Sequence, residues 1–281
     1  MIAIASKSIG NWVDGSSITI TKPSGLAVGD LMVAIIASVI DANNTPSGWA
    51  KSDNWGLGRL SLFTKIADSS DVAASNFTFT NSGTSRPMAG ILYRVTGAGN
   101  SAVYFDGHGT TDSTSDTLAT SGTVSVGTIA TTQLLFMAFR CDNSSGGVGF
   151  SGYRDTGLSL TWTEDFDTAA NLDGAYRSLA VASAVASTQG TITKYEADTT
   201  LAGLVDLGIA VIPPQQDAAA TVSAITADTA IPQPSGGGGT SATVSSVTGN
   251  TAVPQPSGSV AAQTIANQTK NTVSVTNQAK S

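Results

Sequence analysis

The sequence predicts an all-β protein with a β-sandwich or jelly-roll-like head, followed by an extended, repetitive C-terminal tail. Three observations support this prediction. β-Branched residues are abundant and helix formers are scarce, with Glu164 and Glu196 as the only glutamates. Short apolar segments are separated by turn signals made of Gly, Pro, Ser and Asn. Finally, a segment near the C-terminus occurs twice in nearly the same form.

The head covers residues 1–213 and reads as a series of short strands. Two of its segments, FTFT and TWTE, alternate with the period of two that is typical of half-buried strands. This spacing favours a sandwich or jelly roll over alternating strands and helices. Residues 169–186 also have the alanine content of a helix, which stays open as an alternative for that segment. The predicted strands are residues 2–6, 16–21, 31–40, 59–67, 76–80, 88–96, 102–106, 122–126, 133–141, 160–164, 174–184, 191–195 and 205–212.

The boundary between head and tail is predicted at the double proline, Pro213 and Pro214. Tyr195 is the last aromatic residue of the chain and Leu207 is the last leucine. Charged residues also become rare beyond this point. A double proline ends a strand and stiffens the chain that follows it.

The tail, residues 214–281, contains repeats at 221–236 and 243–258 and a degenerate third copy from about residue 264. It has no Phe, Tyr, Trp, Leu or Met, so it buries too little apolar area to order itself alone. We expect it to become ordered by packing against another subunit, another protein or copies of itself, with a disordered linker as the alternative. The candidate assembly contacts are Val222, Ile225, Ile231, Val244, Val247 and Val253.

Composition argues against several classes of partner. The formal net charge is -7 and no basic cluster is present, so we expect no nucleic-acid partner. The longest apolar run, residues 31–40, is about half of what a membrane span requires, and no secretory signal is evident. We therefore expect no membrane insertion. Cys141 is the single cysteine, and its apolar neighbours predict an inert, buried thiol.

Residue types that carry catalysis or bind metal are sparse, and we predict no catalytic residue, cofactor or metal. His108 is the only histidine, and the motifs GxSxG and HExxH are absent. A calcium loop is the weaker alternative near His108, because carboxylates suit hard cations. A glycosidase-like carboxylate pair is the weaker alternative in the segment TWTEDFD and the turn after it. The carboxylates concerned are Asp106, Asp112 and Asp116 for calcium, and Glu164, Asp165, Asp167 and Asp173 for the glycosidase.

Trp49 and Trp55 are candidates for contact with a glycan. They flank the loop AKSDN, which would place both on one exposed edge where a sugar ring could stack. Packing in the core is the default interpretation for the four tryptophans of the chain.

A pattern of turn residues runs through the first hundred residues. A Pro-x-Gly entry is followed by Gly-Asp-Leu, by a Pro-x-Gly-Trp loop, by a Lys-x-Ala turn that ends in Asp, and by a Tyr-Arg strand. The positions are Pro23, Gly25, Gly29, Asp30, Leu31, Pro46, Gly48, Trp49, Lys65, Ala67, Asp71, Tyr93 and Arg94. This order resembles a β-sandwich module of bacteriophage virion proteins and of some bacterial surface proteins.

The resemblance implies a non-enzymatic structural protein of a virion, as a capsid decoration, head fibre or tail component. Its partners would be shell, tail or vertex subunits. The repetitive tail itself favours a homo-oligomer, and within it a trimer, because three chains together can bury Val and Ile stripes that one chain cannot; dimers and larger shells stay open as alternatives. Such a protein is assembled in the host cytoplasm and resides on the virion. A carbohydrate-binding adhesin or receptor-binding module, extracellular or at a cell surface, is the first alternative. It would bind a host-surface glycan. A polysaccharide hydrolase or lyase is the second.

Overall fold

The computed structural model describes residues 1–39, 43–55, 59–82, 86–98, 104–108, 118–121, 123–124, 126–201, 204–215, 241–244, 264–268 and 272–276. The chain divides into two compact units, Met1–Gln215 and Gln216–Ser281, which we call the head unit and the tail unit. Pro214 belongs to the head unit, where it forms an isolated bridge with Ala98.

The described residues form an all-β structure. Its single helix there, α1, covers Ser69–Ala73, and within the described residues no helix has the length and apolar character needed to cross a membrane. The strands of the head unit are β1 (Ala3–Val13), β2 (Ser17–Thr21), β3 (Leu31–Ser38), β4 (Ala50–Trp55), β5 (Leu60–Ile66), β6 (Asn76–Thr80), β7 (Met88–Thr96), β8 (Tyr104–His108), β9 (Leu118–Thr120), β10 (Val126–Ile129), β11 (Leu134–Asn143), β12 (Phe150–Thr156), β13 (Thr163–Leu172), β14 (Ala175–Val185), β15 (Gly190–Ile192), β16 (Lys194–Thr199) and β17 (Leu204–Ile212).

Two five-stranded antiparallel sheets form the centre of the head unit. One has the strand order β1-β7-β3-β5-β4, and the other has the order β13-β14-β11-β17-β8. We call them the first and second central sheets. A ribbon of β2 and β6 accompanies the first, while the smaller sheets β12-β16-β9 and β10-β15 accompany the second.

Three apolar cores fill the spaces between these sheets. The middle core contains residues of both central sheets, such as Val33, Leu62 and Phe136. A second core lies between the first central sheet and the β2–β6 ribbon, and the third lies between the second central sheet and its smaller sheets. Both central sheets are therefore buried on both faces, which explains the unbroken apolar runs of β3 and β11.

The sequence prediction of an all-β chain is confirmed, with several boundaries corrected. Of the predicted strand 122–126, Val126 begins β10, Thr123 and Val124 lie outside the strands, and residues 122 and 125 lie outside the described residues. Residues 160–162 belong to a loop before β13, and the predicted strand 191–195 is divided between β15 and β16. Strands β4, β9 and β12 were not predicted.

Residues 169–186, which could have formed a helix, form the β13–β14 hairpin instead. Asp173 and Gly174 occupy its two-residue turn with φ angles of 54° and 75°. An Asp-Gly pair is a strong hairpin signal because both central residues of a type I′ turn need positive φ. The sequence therefore contained the information that excludes the helix.

The tail unit contains three described strands, β18 (Ser241–Val244), β19 (Thr264–Gln268) and β20 (Thr272–Thr276). They form an antiparallel sheet with β20 in the centre. Val244 pairs with Val273, while Ala242 and Ile265 both pair with Val275. Val244, at the start of the second repeat, and Ala242 just before it are thus in register with apolar positions of the degenerate third copy.

Candidate functional site

Of the two predicted glycan-contact residues, Trp49 and Trp55, the structure describes the side chain of Trp49 alone. Trp49 is 9% exposed and packs edge-on against Phe77 and Phe79, with ring centroids 5.8 and 5.2 Å away. These are the contacts of a core residue, which leave little of the ring for a sugar. Trp55 ends β4, and its side chain lies outside the described residues.

Of the predicted assembly residues, Val244 lies in β18 at the register position of Val273. The other five, Val222, Ile225, Ile231, Val247 and Val253, lie outside the described residues. The described part of the tail therefore places one predicted contact residue in a sheet.

The predicted calcium ligands are only partly covered. Asp106 and His108 contribute backbone to β8, while Asp112 and Asp116 lie outside the described residues. Within the described part of the chain, no group of three or more His, Cys, Asp or Glu side chains is arranged to hold a metal ion.

A β-bulge divides the carboxylates of the proposed glycosidase cluster. The β13–β14 pairing shifts between Glu164 and Phe166, with Asp165 as the extra residue. Asp165 accepts hydrogen bonds from Lys7 Nζ at 2.7 Å and from the Tyr93 hydroxyl at 3.1 Å. Asp173, in the hairpin turn, pairs instead with Arg86. Two of the four carboxylates therefore pair with basic side chains, Lys7 of β1 and Arg86 just before β7.

The other two carboxylates, Glu164 and Asp167, lie near Tyr153. Asp167 accepts a hydrogen bond from the Phe150 backbone N–H at 3.0 Å, which anchors the start of β12. Burial raises the pKa of Asp167, and the charge of Glu164 raises it further. Burial and the same two carboxylates raise the pKa of Tyr153.

The bulged residue Asp165 forms a polar seam along one edge of the two central sheets. We call Lys7, Tyr93 and Asp165 the edge seam. Lys7 Nζ also donates to the Asp165 backbone carbonyl at 2.8 Å, so one ammonium group binds both the side chain and the main chain of β13. Tyr93 is fully buried, and burial followed by the charge of Asp165 raises the pKa of its hydroxyl. The seam therefore joins the two sheets through a neutral phenol and an ion pair.

A second charged group lies in the core face of the second central sheet, and we call it the buried network. It consists of Arg140, Asp142, Arg177 and Asp206, with Arg59 at its margin. Arg140 is 1% exposed and Asp206 is 2% exposed. Charges buried this deeply persist only when they are paired.

The pairing within the buried network is extensive. Arg140 binds Asp206 Oδ2 at 2.7 Å and Asp142 Oδ2 at 2.5 Å. Arg177 lies 2.8 Å from Asp142 Oδ1, and Arg59, from the first central sheet's side, lies 4.0 Å from Asp142 Oδ2. Asp142 is therefore shared by three guanidinium groups.

The pairing is still incomplete among the described residues. Arg140 Nε, Arg177 Nε and Asp206 Oδ1 are buried without a described hydrogen-bond partner. Burial raises the pKa of Asp206, against the effect of the Arg140 charge. This arrangement has the chemistry of a structural ion network.

Cys141 follows Arg140 and is fully buried, as the sequence predicted. Burial and the charge of Asp142 raise the pKa of its thiol to about 12. A thiol with so high a pKa is a poor nucleophile at neutral pH.

Residues of the turn pattern in the first hundred residues occupy turns and loop contacts of the first central sheet. Asp30 Oδ2 accepts hydrogen bonds from the Ala27 backbone N–H at 2.8 Å and from Arg94 Nε at 2.7 Å. Asp30 therefore holds the turn before β3 and pairs with Arg94. Lys65 Nζ similarly binds Asp71 Oδ1 at 2.7 Å beside helix α1.

Sequence reasoning missed the buried network entirely. The only signal was Arg140 within the apolar run of β11, because an arginine placed there needs a buried acid. Its main partner, Asp206, lies on another strand, and spacing along the chain does not reveal it.

Comparison with protein-family models found no matching family. Searches among curated proteins and among solved structures found no match either.

Proposed function

We propose that this protein is a non-enzymatic structural component of a bacteriophage virion. In this proposal the head unit is a β-sandwich module exposed on the particle, as a capsid decoration, cement or fibre component. The tail unit contacts neighbouring subunits or another virion protein of the shell, tail or vertex. A homo-oligomer forms through the tail, with a trimer favoured.

The observation that carries the proposal is the pairing of tail strands across the sequence repeats. Strand β18 ends in the first two residues of the second repeat and β20 lies in the degenerate third copy, and Val244 of the one is in register with Val273 of the other. Short strands rich in Val and Thr are suited to adding to a neighbour's sheet or to packing between chains. A small sheet without large apolar residues gains most of its stability from such packing.

The chemistry of the head unit is consistent with a structural role. Within the edge seam, and separately within the buried network, the side chains bind one another. Both clusters join strands that are distant in sequence. Residues of the turn pattern in the first hundred residues also make structural contacts, such as Asp30 with Arg94. These contacts are suited to stabilising the fold of a structural protein more than to catalysing a reaction.

Quantitative mass spectrometry of density-purified phage particles from the source culture tests this proposal. We expect the protein to co-purify with particles and to remain after high-salt washing. A copy number close to that of the main shell protein would indicate a decoration or cement protein. A few copies per particle would indicate a tail, fibre or vertex component. Absence from purified particles, with the protein free or bound to cells, would contradict the proposal.

A further inference from the structure

The two halves of the head unit have the same strand topology. Listed from the strand that comes first in the chain, the first central sheet has the order β1-β7-β3-β5-β4 and the second has β8-β17-β11-β14-β13. Each half thus places its first strand at one edge, its last strand beside it, and its long buried strand in the centre. We call residues 1–98 the first module and residues 104–212 the second module.

The entry to the central strand is the same in both modules. Gly29 N–H donates to the Ala67 carbonyl at 2.9 Å, and Thr132 N–H donates to the Ala186 carbonyl at 2.7 Å. Gly29 and Thr132 both have positive φ, at 92° and 68°. A threonine rarely adopts this conformation, so its presence at the matching position indicates a backbone inherited from a glycine-containing turn.

The side chain that follows this turn also has the same role. Asp30 Oδ2 accepts from the Ala27 N–H at 2.8 Å, and Gln133 Oε1 accepts from the Ala130 N–H at 2.8 Å. In both modules the acceptor lies three residues after the donor. The same turn is thus closed by a carboxylate in one module and by an amide in the other.

The edge strands agree in detail as well. Trp49 precedes β4 and Trp162 precedes β13. The pairing of each strand with its neighbour then skips the third residue after the tryptophan, Ser52 in one module and Asp165 in the other. A β-bulge at the same position of two ladders is a shared structural feature.

The two modules also pack symmetrically. Strand β1 lies against β13, and β8 lies against β4. Because β1 matches β8 and β4 matches β13, these two contacts are one contact repeated by a two-fold relation. That is the signature of an isologous interface, in which the same surface is used on both sides.

The buried faces are matched residue by residue. Leu31 matches Leu134, Leu62 matches Val181 and Val95 matches Ile212, and all six lie in the middle core. Each module also has its own core, within residues 18–92 in the first and within 119–211 in the second. The middle core is therefore a contact between two bodies that each have an interior.

We infer that the head unit is a pseudo-dimer of one duplicated module, and that the face of each central sheet that lines the middle core is a docking surface for a second copy of that module. In this chain the second copy is supplied by the same polypeptide. The two modules have since diverged. One sign of this divergence is that Arg140 of the buried network occupies the position that Ala37 occupies in the first module.

A cleavable full-length chain tests this inference. A site-specific protease sequence is inserted within residues 99–103, between the modules, and the purified chain is cut without separating its halves. Isotopically heavy and light nicked chains are mixed in equal amounts below the urea midpoint of unfolding and are followed by native mass spectrometry. The matched control carries the same insertion after Ser145, in the exposed turn between β11 and β12, where the cut divides one module.

Two species are expected from the inter-module cut. Mixed pairs, in which one half is light and the other is heavy in either combination, should rise toward about half of all pairs of an N-terminal with a C-terminal half, the mass-action value for equal amounts. A homodimer of N-terminal halves should also appear. This homodimer lacks the tail, so tail association cannot explain it. The control chain should give no exchanged pairs until it unfolds.

Several outcomes would overturn the inference. Halves that exchange only when the whole chain unfolds would show one cooperative body. Exchange without any homodimer of N-terminal halves would show that the surface fits only its present partner. Equal exchange rates at the two cut sites would show that the modules are not the exchanging units.

Discussion

Arg140 and Asp206 place opposite charges in the interior of the head unit. The contribution of each charge to the stability of the fold depends on the presence of the other. Their side chains are 2.7 Å apart and both are buried. The attraction between such groups roughly offsets their desolvation, whereas removal of one leaves the other charge uncompensated. The pair therefore acts as a requirement for correct packing more than as a source of net stability.

We predict that Arg140→Met is strongly destabilising, by about 3–5 kcal/mol, because it leaves the Asp206 carboxylate buried without its partner, and that Asp206→Leu destabilises less, because Arg140 keeps Asp142. The double variant should unfold within about 2 kcal/mol of the parent chain, because Asp142 keeps Arg177 as a partner. Urea unfolding of the four proteins in a double-mutant cycle measures the coupling.

The pair Arg154 and Asp198 is a matched control, since its atoms are 2.8 Å apart but the side chains are 43% and 54% exposed. We expect the corresponding single substitutions there to change stability by less than about 1 kcal/mol. Additive losses at Arg140 and Asp206 would contradict the assignment of the network as a coupled unit.

At the scale of elements, the turns before β3 and β11 determine where the middle strands of the two central sheets begin. Each turn needs one residue with positive φ. The backbone N–H of that residue donates to the carbonyl of the residue just after the neighbouring strand, β5 in the first sheet and β14 in the second. The first turn uses glycine at this position, while the second uses a β-branched residue that is strained there. The second turn is therefore open to improvement.

We predict that Thr132→Gly stabilises the head unit by about 0.5–1 kcal/mol, because it removes the cost of a left-handed β-branched residue. Gly29→Ala should destabilise it by about 1 kcal/mol, since a Cβ has space there but the φ of 92° is unfavourable. Thermal unfolding measures both shifts.

Thr131→Gly is the control for the first substitution. Thr131 is exposed like Thr132 but is not among the residues with positive φ. A glycine there should leave stability unchanged or lower it. An equal gain from Thr131→Gly would contradict the argument from φ.

The elements that the sequence predicted well are those whose pattern is local. Strand β7 and strand β6 have the predicted bounds, because apolar runs and alternation report burial directly. Strand β4 was missed because its sequence, AKSDNW, is largely polar at an edge. Strand β12 was missed because it contains Gly152 with positive φ, which reads as a turn.

The duplication was not visible in the sequence for a similar reason. Backbone positions are kept while the residues differ, as with Gly29 and Thr132 or with Asp30 and Gln133. Hydrogen bonds and strand register reveal the equivalence of the two modules, whereas a comparison of their amino-acid sequences does not. The same holds for the edge seam, because Lys7 and Asp165 meet only through pairing of distant strands.

At the scale of the whole molecule, the inferred pseudo-dimer limits how the chain can oligomerise. The docking surfaces of both modules are buried against each other in the middle core. The head unit then has no open docking surface of this kind to offer another chain. Association between chains is left to the tail unit, in agreement with the proposed function.

We therefore predict that residues 1–215 alone form a monomer, while the full chain forms a homo-oligomer, with a trimer favoured. The head unit contains its three cores entirely within residues 1–215, so its melting temperature should change little on removal of the tail. Light scattering coupled to size-exclusion chromatography measures the mass of both proteins over a range of concentrations.

A full-length variant separates the effect of strand pairing from that of chain length. Val273→Asn and Val275→Asn alter the central tail strand at its pairing positions with Val244, Ala242 and Ile265. Asparagine disfavours strands and adds no charge, so the variant should lose the oligomer without losing the head's thermal transition. A truncated head that keeps the oligomeric mass would instead place the contacts between chains on the head, and would contradict both the assignment to the tail and the closed pseudo-dimer.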